Sequence, residues 1–222
     1  VISSPVNAVI GSEPGDDTST ITIVDDTIDL AVLDHNKGIT ISPVAGAQYY
    51  VGGSLSNAGD VNGDGYEDIF VGTQGSQYSY IVFGNQSINS GADILNLADI
   101  DGTNGFVIQE PYSSAKQVTG IGDINGDGFD DIAIGSTYAS PEGRTYAGQI
   151  EVIFGSSTIG STGVLDLNTG MYTSSDAIVI KGEASGYWTG PTKRAGDING
   201  DGYDDLLIST WFANSYTGKL YV

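Results

Sequence analysis

One nine-residue pattern, Asp-x-Asn-x-Asp-Gly-x-x-Asp, occurs three times, and each copy leads straight into a short apolar run. The copies are residues 60–68 (DVNGDGYED), 123–131 (DINGDGFDD) and 197–205 (DINGDGYDD). The runs that follow, Ile-Phe-Val-Gly, Ile-Ala-Ile-Gly and Leu-Leu-Ile-Ser, are short and end in small residues. That is a strand signal rather than a helix start. The chain must therefore build three copies of one strand-loop-strand unit around an acidic turn.

Each loop sets side-chain oxygens at positions 1, 3, 5 and 9: Asp60, Asn62, Asp64 and Asp68; Asp123, Asn125, Asp127 and Asp131; Asp197, Asn199, Asp201 and Asp205. Hard oxygen donors at alternating positions of a tight loop suit Ca²⁺, which takes several ligands in a flexible shell. The expected shell is completed by water and by the position-7 carbonyl of Tyr66, Phe129 or Tyr203. Gly65, Gly128 and Gly202 at position 6 permit the positive φ that curls the loop. An EF-hand would place Glu at position 12 and flank the loop with helices. Position 12 here is Val71, Ile134 and Ile208, so an EF-hand is excluded. Three Ca²⁺ ions are expected; the competing reading is a set of solvated Asp-Gly turns.

The repeat is larger than the loop. Asp60, Asp123 and Asp197 are 63 and 74 residues apart, too long for a simple solenoid coil and right for a four-stranded blade. A segment ending in Gly-Asp enters each loop. A third strand follows at Tyr80–Gly84, Glu151–Gly155 and Lys219–Val222. A fourth follows a Leu-Asn/Asp-Leu element: Gly105–Ile108 after Leu95–Leu97, and Ala177–Ile180 after Leu165–Leu167. An earlier copy of that piece, Gly38–Ile41 after Ile28-Asp29-Leu30, precedes the first loop. No helix of ten residues is expected.

Net charge is −21, with only 7 Lys plus Arg among 222 residues. This excludes non-specific nucleic-acid binding and disfavours anionic membranes. Three bound Ca²⁺, six positive charges, would still leave about −15. Cysteine is absent and glycine, at 33, abundant. A secreted chain without disulfides needs another device to hold its loops, and calcium fills that role. No apolar run approaches the roughly 20 residues of a membrane helix. The chain opens on Val1 without a signal peptide, which points to a mature chain or an excerpt.

Over residues 28–222 the chain resembles the FG-GAP repeats of integrin α-subunit β-propellers and of large secreted bacterial proteins. The three loops and the pairs Phe83-Gly84 and Phe154-Gly155 carry the resemblance. It implies that each calcium loop joins the first and second strands of a blade. The family's Gly-Ala-Pro after the second strand is replaced by Val-Gly-Thr, Ile-Gly-Ser and Ile-Ser-Thr. Residues 11–27 resemble the last strand of a Calx-β domain. The expected organisation is an extension at 1–27 and propeller repeats at 28–222, with blade cores near 50–110, 115–183 and 190–222.

The expected fold is all-β, with blades of four antiparallel strands. Counted in order there are one fourth strand, two full blades and three strands of a third: three blades' worth, shifted by one. Propellers use about 4–8 blades, so three do not close alone. Either further blades of a longer chain complete the ring, or the strand near 38–44 completes the third blade of another copy. The second, head-to-tail arrangement gives a ring or a filament.

Catalytic chemistry is thin. The one histidine, His35, lies in a polar turn, and neither a Cys nucleophile nor a Gly-x-Ser-x-Gly elbow is present. The glycine-rich stretches lack a phosphate-loop Lys-Ser/Thr. Paired carboxylates of the glycosidase kind are taken up by the loops. Tyr187-Trp188 and Trp211-Phe212 suit either sugar stacking or packing between blades. Asn85-Gln86-Ser87 is a glycosylation sequon by pattern. The expected function is a non-enzymatic, calcium-stabilised module at the cell surface or secreted, serving adhesion or filament assembly. The alternatives are a carbohydrate- or protein-binding receptor and a propeller appended to a hydrolase.

Overall fold

In the computed structural model the described residues are 7–10, 21–24, 40–45, 49–85, 94–113, 116–168, 173 and 175–222. His35, Ile28–Leu30 and Gly38–Ile39 lie outside them. Two compact units are found. One comprises residues 1–41 and 86–95, the other 42–85 and 96–222. The first contains the hairpin of β1 (Asn7–Ile10) and β2 (Ile21–Val24).

The second unit is built of blades. The first blade orders β4 (Tyr50–Gly59), β5 (Asp68–Gln74), β6 (Tyr78–Val82) and β8 (Gly105–Gln109), all antiparallel. The second orders β9 (Lys116–Gly122), β10 (Asp131–Ser136), β11 (Gln149–Ile153) and β13 (Ala177–Lys181) in the same way. The third has β14 (Thr189–Gly196), β15 (Asp205–Thr210) and β16 (Lys219–Tyr221). The expected all-β blades are therefore present, and the longest α-helical stretch among the described residues is Ala213–Tyr216.

Two short strands escape the sequence pattern. β12 (Val164–Asp166), inside the Leu-Asp-Leu element, crosses back and pairs parallel with β8, the outer strand of the blade before its own. Its counterpart β7 (Ile94–Asn96) pairs with β3 (Thr40–Ser42). β3 thus takes the position relative to β7 that a blade's fourth strand takes relative to β12.

β10 explains why the middle blade reads as continuously apolar: all six of its residues are buried. Its side chains alternate between two layers. Ile132 and Ile134 join Phe70, Ile81, Phe106 and Val118 on one side. Ala133 joins Ile121, Ile150 and Val152 on the other, against Leu206 and Ile208 of the third blade. The first strands run beside one another, β4 next to β9 and β9 next to β14. Val118 and Gly120 N–H donate across to the hydroxyls of Ser54 and Ser56, at 3.0 and 3.1 Å.

Residues of the first and second blades also form a buried ionic group: Glu110, just past β8, Lys116 at the start of β9 and Glu151 of β11, each at most 3% exposed. Lys116 Nζ lies 3.1 Å from Glu110 Oε2 and donates to the Tyr78 carbonyl at 3.1 Å. Gln149 donates to Glu151 Oε1 at 2.7 Å. One cation cannot neutralise two carboxylates. Burial pushes the Glu151 carboxyl up to about 7 against the opposing Gln149 hydrogen bond, and the Glu110 charge adds to the rise. A raised pKa means the folded state holds a proton that the unfolded chain releases above about pH 4.5. The resulting stability is full below that pH and lost as pH rises through about 7. Glu151→Gln is expected to match the parent at pH 5 and to exceed it by about 1–2 kcal/mol at pH 8. Urea unfolding at both pH values in saturating calcium checks this; an unchanged difference between the two proteins contradicts it.

Candidate metal loops

Each acidic loop joins the first strand of a blade to the second: residues 60–68 between β4 and β5, 123–131 between β9 and β10, and 197–205 between β14 and β15. The position-6 glycines all have positive φ, at 91°, 91° and 95°. Within each loop the side chains bind backbone N–H groups in one repeated scheme. Asp60 Oδ1 accepts from Gly63 and Asp64, and Oδ2 from Gly65 at 2.8 Å. Asn62 accepts from Asp64, and Asp64 from Tyr66. Asp123 and Asp197 repeat the first set. Asn125 with Asp127, and Asn199 with Asp201, repeat the second. The Gly202 N–H, foremost among these donors, holds the Asp197 carboxyl below its usual range.

Position 9 differs in kind. Asp68 and Asp131 are buried, at 1% and 0% exposure, while Asp205 is half-buried. Asp68 accepts from Val61 N–H at 3.0 Å and from Gly84 N–H at 2.8 Å. Asp131 accepts from Ile124 and Gly155, both at 2.9 Å. Burial raises both carboxyls to about 7, opposed by those N–H groups. The Phe-Gly pairs gain a physical reason here. They fall just past the third strands, which end at Val82 and Ile153 rather than running on to Gly84 and Gly155. The glycine brings its N–H to the position-9 carboxylate. A Cβ at Gly84 would stand 2.3 Å from the Glu67 carbonyl, and one at Gly155 2.4 Å from that of Asp130.

The donor set suits a hard cation in kind and order. A carboxylate that accepts two N–H bonds keeps lone pairs free for an ion, and a nearby cation lowers a carboxyl that burial has raised. Among the described residues, the carboxylates of no loop converge as a ready cage of three; their oxygens turn onto the loop's own N–H groups.

Two features were not foreseen from the pattern. Position 8 of one loop, Asp130 or Asp204, reaches the loop of the preceding blade. The aromatic residues form an edge-to-face chain, Tyr146–Tyr138–Trp188–Phe212–Tyr216, with ring centroids 4.7–6.0 Å apart. Tyr138, just past β10 of the second blade, meets Trp188, just before β14 of the third, at 5.0 Å, so these two rings pack across a blade boundary.

Blades whose first and second strands are joined by an acidic loop, with Phe-Gly just past the third strand in two of them, define an integrin-like propeller repeat. Residues 51–84, 117–153 and 194–222 each match the FG-GAP repeat, and the chain carries three of them. It is 32% identical over 172 residues to human phosphatidylinositol-glycan-specific phospholipase D, covering 73% of this chain and 19% of that protein. It is 28% identical over 183 residues to the bovine protein of that name, covering 75% and 20%. Chicken integrin alpha-V is 27% identical over 180 residues, covering 73% and 15%. The chain thus spans a fifth or less of the length of these relatives. Among the described residues no helix is long and apolar enough to cross a membrane.

Proposed function

We propose that this chain is a non-catalytic, calcium-stabilised part of an extracellular β-propeller, secreted or at the cell surface, that serves adhesion or surface assembly. The observation that carries the reading is the threefold recurrence of one oxygen-rich loop in FG-GAP blades. Asp60, Asn62, Asp64, Asp68 and the Tyr66 carbonyl would hold the first ion. Asp123, Asn125, Asp127, Asp131 and the Phe129 carbonyl would hold the second. Asp197, Asn199, Asp201, Asp205 and the Tyr203 carbonyl would hold the third. Bound Ca²⁺ supplies positive charge that relieves repulsion within each acidic loop. The relatives named integrin support adhesion. Those named phospholipase D support the alternative, a propeller attached to a hydrolase.

The partner in this reading is a β-strand. β16 has no strand on its outer edge among the described residues, whereas β6 and β11 are each covered by a fourth strand. Beside it Ile180, Ile208 and Tyr221 line a cleft of about 380 Å³. An open edge next to an apolar cleft invites strand addition. The β3–β7 ribbon has the composition of the missing outer piece. It would come from a second copy, head to tail, or its equivalent from further blades of a longer chain. Native mass spectrometry of the 222-residue chain is expected to give multimers that deletion of residues 1–44 abolishes. Assembly unchanged by that deletion would sink the head-to-tail form. The receptor alternative draws on Trp211 and Tyr216, 49% and 80% exposed on the rim.

A further inference from the structure

Each acidic loop that is followed by another blade is clasped by that blade's own loop. Asp130, at position 8 of the second loop, brackets the Asp60 peptide from both sides. Its Oδ2 accepts from Asp60 N–H at 2.8 Å, and its N–H donates to the Asp60 carbonyl at 3.2 Å. Asp204, at position 8 of the third loop, repeats this on Asp123, at 3.1 and 2.9 Å. The approach is close enough to demand glycine. A Cβ at Gly59 would meet Asp130 Oδ2 at 2.3 Å, and one at Gly122 would meet Asp204 Oδ2 at 2.0 Å. The position-7 rings press on the same loops: Phe129 lies 2.4 Å from a Cβ built at Gly63, and Tyr203 lies 2.3 Å from one built at Gly126. The third loop provides the contrast. Nothing lies within 4 Å of a Cβ at its matching glycines, Gly196 and Gly200.

We propose that the three metal loops are coupled in series. Asp130 and Asp204 act as positioning residues that set the affinity of the loop one blade earlier. This inference rests on the calcium reading above. The physical argument is preorganisation. Position 1 is the residue whose carboxylate organises the loop, and its peptide is fixed by a residue lying between positions 7 and 9 of the next loop. An ion that orders the Phe129 carbonyl and Asp131 therefore also orders Asp130, and through it Asp60. Coupling of this kind is reciprocal, so filling either loop tightens the other. The Asp204 carboxylate is itself held by Arg194, whose Nη2 lies 2.8 Å from Oδ2. The third loop lacks a clasp among the described residues and is expected to bind most weakly.

The test is a Ca²⁺ titration of the full chain followed at the amide resonances of Gly65, Gly128 and Gly202, one per loop. In Asp204→Ala, Gly128 is expected to need roughly ten-fold more calcium, although Asp204 belongs to a different loop and is not assigned as a ligand. Because the coupling is reciprocal, the Gly202 transition is expected to move in the same direction, whereas Gly65, clasped by the intact Asp130, is expected to move less than about two-fold. Tyr203→Leu removes the ring over Gly126 and leaves the carbonyl in place. It is expected to shift Gly128 in the same direction by roughly two- to five-fold. Glu67→Ala alters the same position of the first loop, where the carboxylate accepts from Asn57 Nδ2 at 2.6 Å rather than from another loop's backbone, and is expected to leave Gly128 and Gly202 unmoved. Gly128 titrating as in the parent, in whichever of the Asp204→Ala and Tyr203→Leu variants folds, overturns the coupling alone. A parent chain whose three glycines ignore calcium overturns the calcium reading and the coupling with it.

Discussion

Chelation is expected to lower the melting temperature of this chain by about 15–30 °C. An ion that binds only the folded state adds about 2.7 kcal/mol at a hundredfold excess over its Kd. Three sites together contribute about 8 kcal/mol. For a domain of this length each kcal/mol moves the midpoint by about 2–4 °C. Asp127→Ala removes the position-5 donor of the middle loop and should cost at least about a third of the shift, because the outer loops keep their own donors but lose their coupling to the middle ion. Calorimetry with and without EDTA measures both. A midpoint indifferent to the chelator would remove calcium from any structural role.

Gly155→Ala is expected to destabilise the folded chain by about 3 kcal/mol, with calcium present. The added methyl would stand 2.4 Å from the Asp130 carbonyl and 2.8 Å from that of Val61. Both are backbone atoms, so no side chain can swing away, and overpacking of this kind costs about 1–3 kcal/mol. Displacing residue 155 also stretches its 2.9 Å N–H bond to Asp131, and hydrogen bonds to charged groups are worth about 1.5–3 kcal/mol. The backbone of residues 129–131 carries the clasp on Asp60 as well, so the damage spreads to the first blade. Denaturant unfolding gives the number directly. A loss below about 0.5 kcal/mol would mean that the Phe-Gly glycine has no close-packing role.

The loops and most blade strands are legible in the sequence because their requirements are local. A curled turn needs Gly65, Gly128 and Gly202 at φ near 91–95°, and a two-face buried strand needs a run like Ile132-Ala133-Ile134. What stays hidden is set by distant partners. β12 is three residues long and takes its identity from Val107–Gln109, more than fifty positions earlier. Asp130 and Asp204 read as solvated members of an acidic run, since their partners lie 70 and 81 residues away. Lys116, Glu110 and Glu151 read as surface charges, because only stacking of successive blades buries them. Packing between blades is hidden in the sequence for the same reason: the edge-to-face contact of Tyr138 with Trp188 joins rings of successive blades.

The central claim is that three acidic loops each take one calcium ion. Isothermal titration of the metal-free 222-residue chain with Ca²⁺ tests it most directly. The account predicts saturation at three ions per chain, falling to two for Asp127→Ala. Heat of dilution alone, with no ion taken up by the parent chain, would contradict it.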